Sequence, residues 1–262
     1  MKATVFLGGG RITRALLEGL RLAKYAGPLL VHDRHPEKLR QLKKRYGVFV
    51  EPDLAEAIKQ AELAIIAVRP GSVARLLGQI QSLNRPFCAV SLAAGVPLAE
   101  LRARLGPPVR WARAMPSPVC RSRQGLTAVA FDRSVGAPAR GKIKNLFLRL
   151  GQVVEIPENQ FDAFTVTYSA SHGYHALSTL AEAARKLGLR RETAFAAAAH
   201  ALADAISAWR EDDTSLQVLL DEARTPGGIA ATVMESMNRA GYRKAVQQGL
   251  AAGVSRAQRN RL

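Results

Sequence analysis

Long apolar runs, cysteines and aromatic side chains are all scarce in this chain of 262 residues. No uninterrupted apolar stretch reaches the roughly 18 residues that a membrane-spanning helix requires, so we expect no membrane association. The two cysteines, Cys88 and Cys120, are too few for a disulfide framework and lack the spacing of metal ligands. The first residues enter a strand-like segment directly, which predicts no signal peptide and a reducing, cytoplasmic setting.

The residue patterns of several kinds of catalysis are also missing. We find no nucleophilic triad, no paired carboxylates and no His/Cys set with metal-ligand spacing, so the prediction for a metal site is none. His172 and His175 lie three residues apart and would share a helical face, but no third ligand accompanies them. For His175 we favour a structural role.

Positive charge, in contrast, is abundant and unevenly placed. The net charge is +17, and residues 1–156 hold 26 Lys+Arg against 10 Asp+Glu, whereas residues 157–262 hold 12 against 11. Such a field attracts a polyanionic cofactor, and it attracts nucleic acid equally. Because the basic residues are scattered and aromatics make up only 6% of the chain, charge alone favours a solvated basic surface.

The sequence divides into two parts that differ in their secondary-structure patterns. The first half alternates apolar runs such as "ATVFL", "PLLVHD" and "ELAIIAV" with helical patterns, which is typical of βαβ units. From about Phe161 only helical, alanine-rich patterns follow. We therefore predict an α/β fold, with a Rossmann-like doubly wound parallel sheet in residues 1–156 and an all-helical domain in residues 157–262.

A glycine-rich turn, "FLGGGRIT", joins the first predicted strand to the first helix. Gly8 and Gly10 occupy the first two positions of the G-x-G-x-x-G/A pattern, Arg11 and Ile12 begin the helix, and Thr13 stands at the third position. The pattern indicates a phosphate-binding turn, because the strand–turn–helix context is the required one. The alternative is a purely structural turn.

The end of the second strand bears on the choice of dinucleotide. In "VHDRHPEK", Asp33 suits a ribose 2′-hydroxyl and favours NAD, whereas Arg34, with His35 and Lys38 nearby, suits a 2′-phosphate and favours NADP. The basic surroundings lead us to predict NADP(H) rather than NAD(H).

Five ordered motifs resemble those of the pyrroline-5-carboxylate reductase family over nearly the whole chain. They are "FLGGGRITRALLEGL", "AVRPGSV", "SLAAGV", "RAMPSP" and "EARTPGGIAATVMESMNRAG". The resemblance implies NAD(P)H-dependent reduction of a cyclic imino acid to proline. It also implies a homodimer or larger homo-oligomer formed through the C-terminal helices, with active sites between one subunit's cofactor and its partner's helices.

The resemblance also implies the role of particular segments. Ala67, Val68, Arg69 and Pro70 match residues that flank the nicotinamide ribose, and Ala93, Ala94, Gly95, Met115 and Pro116 match the nicotinamide pocket. The substrate carboxylate would bind at Thr225, Pro226, Gly227, Gly228, Ile229 and Ala230. Thr165, His172 and Tyr174 are the candidate catalytic residues. For Thr165 and Tyr174, a packing role is an equal alternative.

Several positions depart from the family pattern. Ala230 replaces a threonine, Ser117-Pro118 replaces Asn-Thr, and "YSASHGY" replaces a glycine-rich turn, so that Tyr168 and His172 stand at the substrate wall. These changes leave two alternatives open. One is a related imine or keto-acid reductase, and the other is a non-catalytic protein that binds nucleotide or nucleic acid.

Overall fold

A computed structural model describes residues 2–211 and 213–261 of the chain. The strands are β1 (Ala3–Leu7), β2 (Leu29–His32), β3 (Phe49–Val50), β4 (Ala61–Ile66), β5 (Cys88–Ser91), β6 (Arg110–Pro116), β7 (Gly125–Phe131) and β8 (Gly151–Glu155). The helices are α1 (Arg11–Leu22), α2 (Pro36–Tyr46), α3 (Leu54–Gln60), α4 (Val73–Ile80), α5 (Leu98–Arg104), α6 (Ala137–Leu148), α7 (Phe161–Thr167), α8 (Ala170–Lys186), α9 (Arg191–Glu211), α10 (Leu216–Glu222), α11 (Ile229–Arg239) and α12 (Tyr242–Gln258).

All eight strands form one sheet in the order β3-β2-β1-β4-β5-β6-β7-β8. Neighbouring strands are parallel except β6 and β7, which are antiparallel. The chain builds outward from β1 in one direction and then from β4 in the other. The strand order therefore reverses between β1 and β4, and this reversal places a ligand crevice at their carboxyl ends in doubly wound folds. The predicted fold class is confirmed.

The sheet is buried on both faces, which is why its central strands are continuous apolar runs. Val5 and Leu7 of β1 pack in one apolar cluster, together with Trp111, and Phe6 packs in a second cluster with Phe147. All five side chains are at most 1% exposed. Alternate side chains of one strand thus enter opposite layers.

The chain divides into two compact units. One unit runs to Tyr168 and also includes the residues from Gly253 onward; the other comprises Ser169–Ala252. This division lies later than the predicted boundary at 156/157. The physical reason is α7, whose Phe161 is fully buried against Ala128 and Ala130 of β7.

In its described residues, the second unit consists of helices joined by turns, from α8 to most of α12, and contains no strand. Its long helices α8 and α9 are rich in alanine, which has the highest helix propensity. Within 2–211 and 213–261, no helix has the length and apolarity that crossing a membrane would take.

Both cysteines are buried in the sheet unit as free thiols. Burial raises the pKa of Cys88, and it raises the pKa of Cys120 to about 12. Burial thus disfavours the thiolate, the form that nucleophilic chemistry requires, at both positions.

Candidate active site

The glycine turn between β1 and α1 is held against the neighbouring strands. Gly8 has φ +112°, and its N–H donates to the carbonyl of His32 at 2.8 Å. A Cβ at this position would lie 2.8 Å from the carbonyl oxygen of Ala67. Both the backbone angle and the contact therefore require glycine.

Gly10 differs from Gly8, because the space beside it is open. A Cβ on Gly10 would meet no atom within 4 Å, and Gly10 caps α1 without any side-chain hydrogen bond or acidic residue in the first turn. The N–H groups of Arg11, Ile12 and Thr13 have no acceptor within the helix. This set of backbone donors with the positive end of the helix dipole fits a pyrophosphate.

Thr13, the departure from the third glycine position, has a structural role. Its side chain is buried, and its hydroxyl donates to the carbonyl of Gly8. Thr13 thus stabilises the turn from its buried side. The replacement of the third glycine by Thr13 therefore does not disturb the backbone donors that would bind phosphate.

Both carboxylate oxygens of Asp33 accept hydrogen bonds from within the protein. One carboxylate oxygen accepts from the N–H of Gly9 at 2.8 Å, and the other accepts from the backbone and ring of His35 at 2.9 and 2.8 Å. Burial raises the pKa of Asp33, but these hydrogen bonds and the charge of Lys38 outweigh it and hold the pKa below its usual value. The carboxylate of Asp33 therefore stabilises the glycine turn through Gly9.

Arg34, the next residue, is exposed, and no described residue pairs with its guanidinium. Lys38 lies 3.6 Å from Asp33 and is half-buried. Of the two candidates at the end of β2, the arginine is thus the one that is available to a ligand. An unpaired guanidinium suits a phosphate better than a hydroxyl.

Three further candidate segments lie at the carboxyl ends of β4, β5 and β6. Ala67 donates its N–H to Leu7 at 2.9 Å, and Leu92 donates to Ile66 at 3.0 Å. The candidates Val68, Arg69 and Pro70 lead into a short 3₁₀ turn, Ala93 to Gly95 form a turn, and Met115 and Pro116 end β6. Because β1, β4, β5 and β6 are parallel neighbours, the sheet brings these segments to the same edge as the glycine turn.

A buried ion cluster, which the sequence pattern does not predict, anchors α7 to the sheet. Arg113 of β6 is 1% exposed and pairs with Glu158 at 2.9 Å and Asp162 at 3.3 Å, and its guanidinium lies 4.0 Å from the ring centre of Phe161. The pairing offsets the cost of burying the charge. Thr165 stands on the same short helix, where its hydroxyl donates to the carbonyl of Phe161 at 2.7 Å.

The hydroxyl of Tyr168, which the sequence places at the substrate wall, is used within the sheet unit. It accepts from the N–H of Leu126 on β7 at 2.7 Å. The ring of Tyr168 also packs at a tilt against Phe164, with 5.4 Å between centroids. Tyr168 therefore stabilises the end of α7.

In the helical unit, the candidates His172 and Tyr174 lie on the first turns of α8. Both are exposed in the single chain, and Tyr174 is 71% exposed. The ring of His175 is within 3.0 Å of the Thr179 hydroxyl. Among the residues with a described placement, no three His, Cys, Asp or Glu side chains are grouped to hold a metal ion.

The segment Thr225–Gly228 forms a tight turn before α11. Gly227 has φ +74°, and the N–H of Gly228 donates to the carbonyl of Thr225 at 2.8 Å. No side chain caps α11, and its first residues, Ile229 and Ala230, are exposed. This helix start offers backbone donors to an anion such as a carboxylate.

Known proteins resemble this chain in sequence and in fold. The family model described as pyrroline-5-carboxylate reductase dimerisation matches residues 158–260, and a model described as NADP oxidoreductase coenzyme F420-dependent matches residues 4–95. The chain is 30% identical to a pyrroline-5-carboxylate reductase of Synechocystis, with 96% of each chain covered. It is 29% identical to a pyrroline-5-carboxylate reductase of Mycobacterium tuberculosis, covering 100% of this chain and 98% of the relative.

Solved structures agree with the sequence comparison at the level of the fold. A pyrroline carboxylate reductase of Plasmodium falciparum with NADP bound superposes with a TM-score of 0.88, at 20% identity and over 99% and 98% of the two chains.

Proposed function

The chain belongs to the pyrroline-5-carboxylate reductase family, and on that premise we propose that it reduces 1-pyrroline-5-carboxylate to L-proline with NADPH. The observation that carries the proposal is the uncapped start of α1 beside Gly10. It lies at the carboxyl edge, where the strand order reverses between β1 and β4. A dinucleotide pyrophosphate is the anion that this geometry fits.

The preference for NADPH over NADH follows from the division of roles at the end of β2. Asp33 uses both carboxylate oxygens on Gly9 and His35, and is therefore a poor acceptor for a ribose hydroxyl. Arg34 is exposed and unpaired among the described residues, and suits a 2′-phosphate. NADP is also the coenzyme named with the Plasmodium falciparum relative.

When bound, the reduced nicotinamide supplies a hydride to the imine carbon of the substrate. The remaining work is orientation and exclusion of water, which explains why the chain lacks an acid–base triad. We assign Ala67–Pro70 to the surroundings of the nicotinamide ribose, and Ala93–Gly95, Met115 and Pro116 to the walls of the nicotinamide pocket. Thr165, His172 and Tyr174 are proposed to contact the substrate, and the backbone donors at Thr225–Ala230 to hold its carboxylate.

We propose that the site is completed in a homodimer, by the helical unit of a partner subunit. The match to the dimerisation model over 158–260 supports this assembly. So does the apolar surface of the helical unit, which exposes Phe195, Ile206 and Trp209 along α9 of the single chain. Cytoplasmic location stays a prediction.

The experiment is an assay of NADPH and NADH oxidation by the purified protein, with pyrroline-5-carboxylate and, in parallel, pyrroline-2-carboxylate. We expect turnover with the first substrate and a preference for NADPH. In the Arg34→Ala variant, KM for NADPH should rise about tenfold while KM for NADH stays within twofold.

Two outcomes would contradict the proposal. Turnover of pyrroline-2-carboxylate alone would point to a related imine reductase, for which Ala230 and Ser117 provide an altered substrate wall. Tight binding of duplex DNA at physiological salt without binding of either coenzyme would favour the basic surface as a nucleic-acid site.

A further inference from the structure

The turn that follows β5 has one defined peptide orientation. Ala94 and Gly95 are its central residues, and Gly95 has φ +76°. A positive φ at the second central residue is typical of a type II turn. Types I and II differ in the orientation of the central peptide, which is here the bond between Ala94 and Gly95.

Residues 256–260 hold this peptide from one side. The side-chain amide of Asn260 donates to the carbonyl of Ala94 at 3.2 Å, across 166 positions of sequence. Arg256 donates to the amide oxygen of Asn260 at 2.8 Å and so fixes the direction of the amide group. A Cβ on Gly95 would overlap the carbonyl oxygen of Ala257, so the end of α12 lies directly against the turn.

This contact decides which backbone group the turn presents on its other side. In a trans peptide, the C=O and the following N–H point in opposite directions. Because Asn260 holds the carbonyl of Ala94, the N–H of Gly95 points away from Asn260. No acceptor among residues 2–211 and 213–261 bonds to that N–H. If the Ala94–Gly95 peptide rotated by 180°, the turn would present the carbonyl oxygen of Ala94 on that side instead of the N–H of Gly95.

The same terminal segment also contacts the short helix α7. A Cβ on Gly253 would lie 3.1 Å from the side chain of Val166, the residue after Thr165. The C-terminal segment, residues 253–260, thus touches both the turn at Ala93–Gly95 and the helix of a proposed substrate residue. All of these contacts lie within the sheet unit.

We propose that Asn260 is a positioning residue, which locks the Ala94–Gly95 peptide so that the N–H of Gly95 faces the nicotinamide half of the coenzyme. The inference rests on the proposed function, since only a bound nicotinamide coenzyme gives this turn its role. Asn260 acts through the turn and needs no contact with coenzyme or substrate.

The test compares two ligands by calorimetry on the full-length protein. NADPH carries the nicotinamide, whereas 2′,5′-ADP carries the adenosine phosphates alone. In Asn260→Asp and Asn260→Leu, which cannot donate to Ala94, NADPH affinity should fall three- to tenfold, the range of one lost hydrogen bond. The affinity for 2′,5′-ADP should stay within twofold. In crystals of ligand-free Asn260→Asp, the carbonyl of Ala94 should rotate away from residue 260.

Arg259→Ala is the matched control, because Arg259 is an exposed neighbour without a bond to the turn. It should leave both affinities unchanged. The inference is overturned if NADPH affinity stays within twofold in both Asn260 variants, or if both ligands lose affinity equally. A wild-type protein that binds neither NADPH nor NADH would instead overturn the proposed function itself.

Discussion

The two units of this chain bury their side chains very differently. The sheet unit has apolar clusters on both faces of the sheet, with large side chains such as Trp111 and Phe147 fully buried. In the described part of the helical unit, the buried apolar residues are four alanines, Ala181, Ala194, Ala198 and Ala231. Many of its larger apolar side chains, such as Phe195, Ile206 and Trp209, are exposed in the single chain, and none of those described is fully buried.

The two units therefore depend on other molecules in different ways. The sheet unit contains the packed core that a folded domain requires, and it leaves a helix start open to a coenzyme. The helical unit exposes Leu187 and Ile229 at 87% each, together with much of one face of α9. Extended apolar surface of this kind is typical of a subunit interface.

The largest effect is expected from a charge on the exposed apolar face of α9. Ile206→Asp would bury a carboxylate in the proposed interface, so we expect dimer affinity to fall at least about 100-fold and turnover to be lost at micromolar protein. Light scattering after gel filtration measures the mass. Phe49→Asp places the same charge on an apolar residue of the sheet unit, 56% exposed, and should leave the dimer intact. Equal effects of Ile206→Asp and Phe49→Asp would refute the assignment of the dimer interface to the helical unit.

A second prediction separates binding from folding within the glycine turn. Gly10→Ala puts a methyl group into open space at φ −76°, so the free energy of unfolding should change by less than about 1 kcal/mol. The methyl group would occupy the proposed pyrophosphate position, and NADPH affinity should fall about 100-fold.

Gly8→Ala is the comparison for that variant. Its methyl group would meet the carbonyl of Ala67 at a positive φ, so the free energy of unfolding should fall by about 2–4 kcal/mol. Denaturant unfolding and calorimetry measure the two quantities. Undiminished coenzyme binding by Gly10→Ala would remove the phosphate role of this turn.

The third prediction concerns acid stability of the sheet unit. The pKa of Asp33 is lowered in the folded state, so its stabilising contribution is present above the unfolded pKa, near 3.9, and is lost as pH falls through the folded pKa. Asp33→Asn should cost about 1–2 kcal/mol at pH 7, and the difference from wild type should shrink below pH 4. Urea unfolding across this range measures it. If the difference in unfolding free energy between wild type and Asp33→Asn were constant with pH, the charge of Asp33 would not contribute to stability.

The smallest effect is expected at two tyrosines, one in each unit. Tyr168→Phe leaves the N–H of Leu126 without its acceptor and should lower the free energy of unfolding by about 1 kcal/mol. Tyr174, which is 71% exposed in the single chain, should leave stability unchanged when replaced by Phe and should instead lower kcat/KM about fivefold. Thermal unfolding and initial rates distinguish the two. A change of kcat/KM only in Tyr168→Phe would reverse these roles.

Much of the sheet unit is predictable from sequence, because its buried strands are recognisable as local apolar runs. The runs in β1 and β4 are continuous and apolar, as parallel strands with two covered faces require. The strand β6 is harder to recognise, because Arg113 interrupts it. The arginine is buried only by virtue of Glu158 and Asp162, which lie 45 and 49 positions later.

The candidate site was predictable where a motif is continuous and not where partners are distant. The glycine turn and Thr225–Gly228 are local, and each lies at the start of a helix. The role of Asp33 was ambiguous, because only the fold shows that Gly9 and His35 use its oxygens. Asn260 carries no sequence signal, since its partner Ala94 lies 166 positions away.

In the proposed dimer, catalysis joins the sheet unit of one subunit to the helical unit of the other. The most direct measurement is the activity of mixed dimers of Gly10→Ala, defective in the coenzyme site, and Gly227→Val, strained at the carboxylate turn. At an NADPH concentration near the wild-type KM, each variant alone should be nearly inactive. After co-expression at equal levels, we predict about a quarter of wild-type turnover, because half of the dimers regain one intact site. No recovery, in dimers shown to be mixed by mass, would contradict the claim.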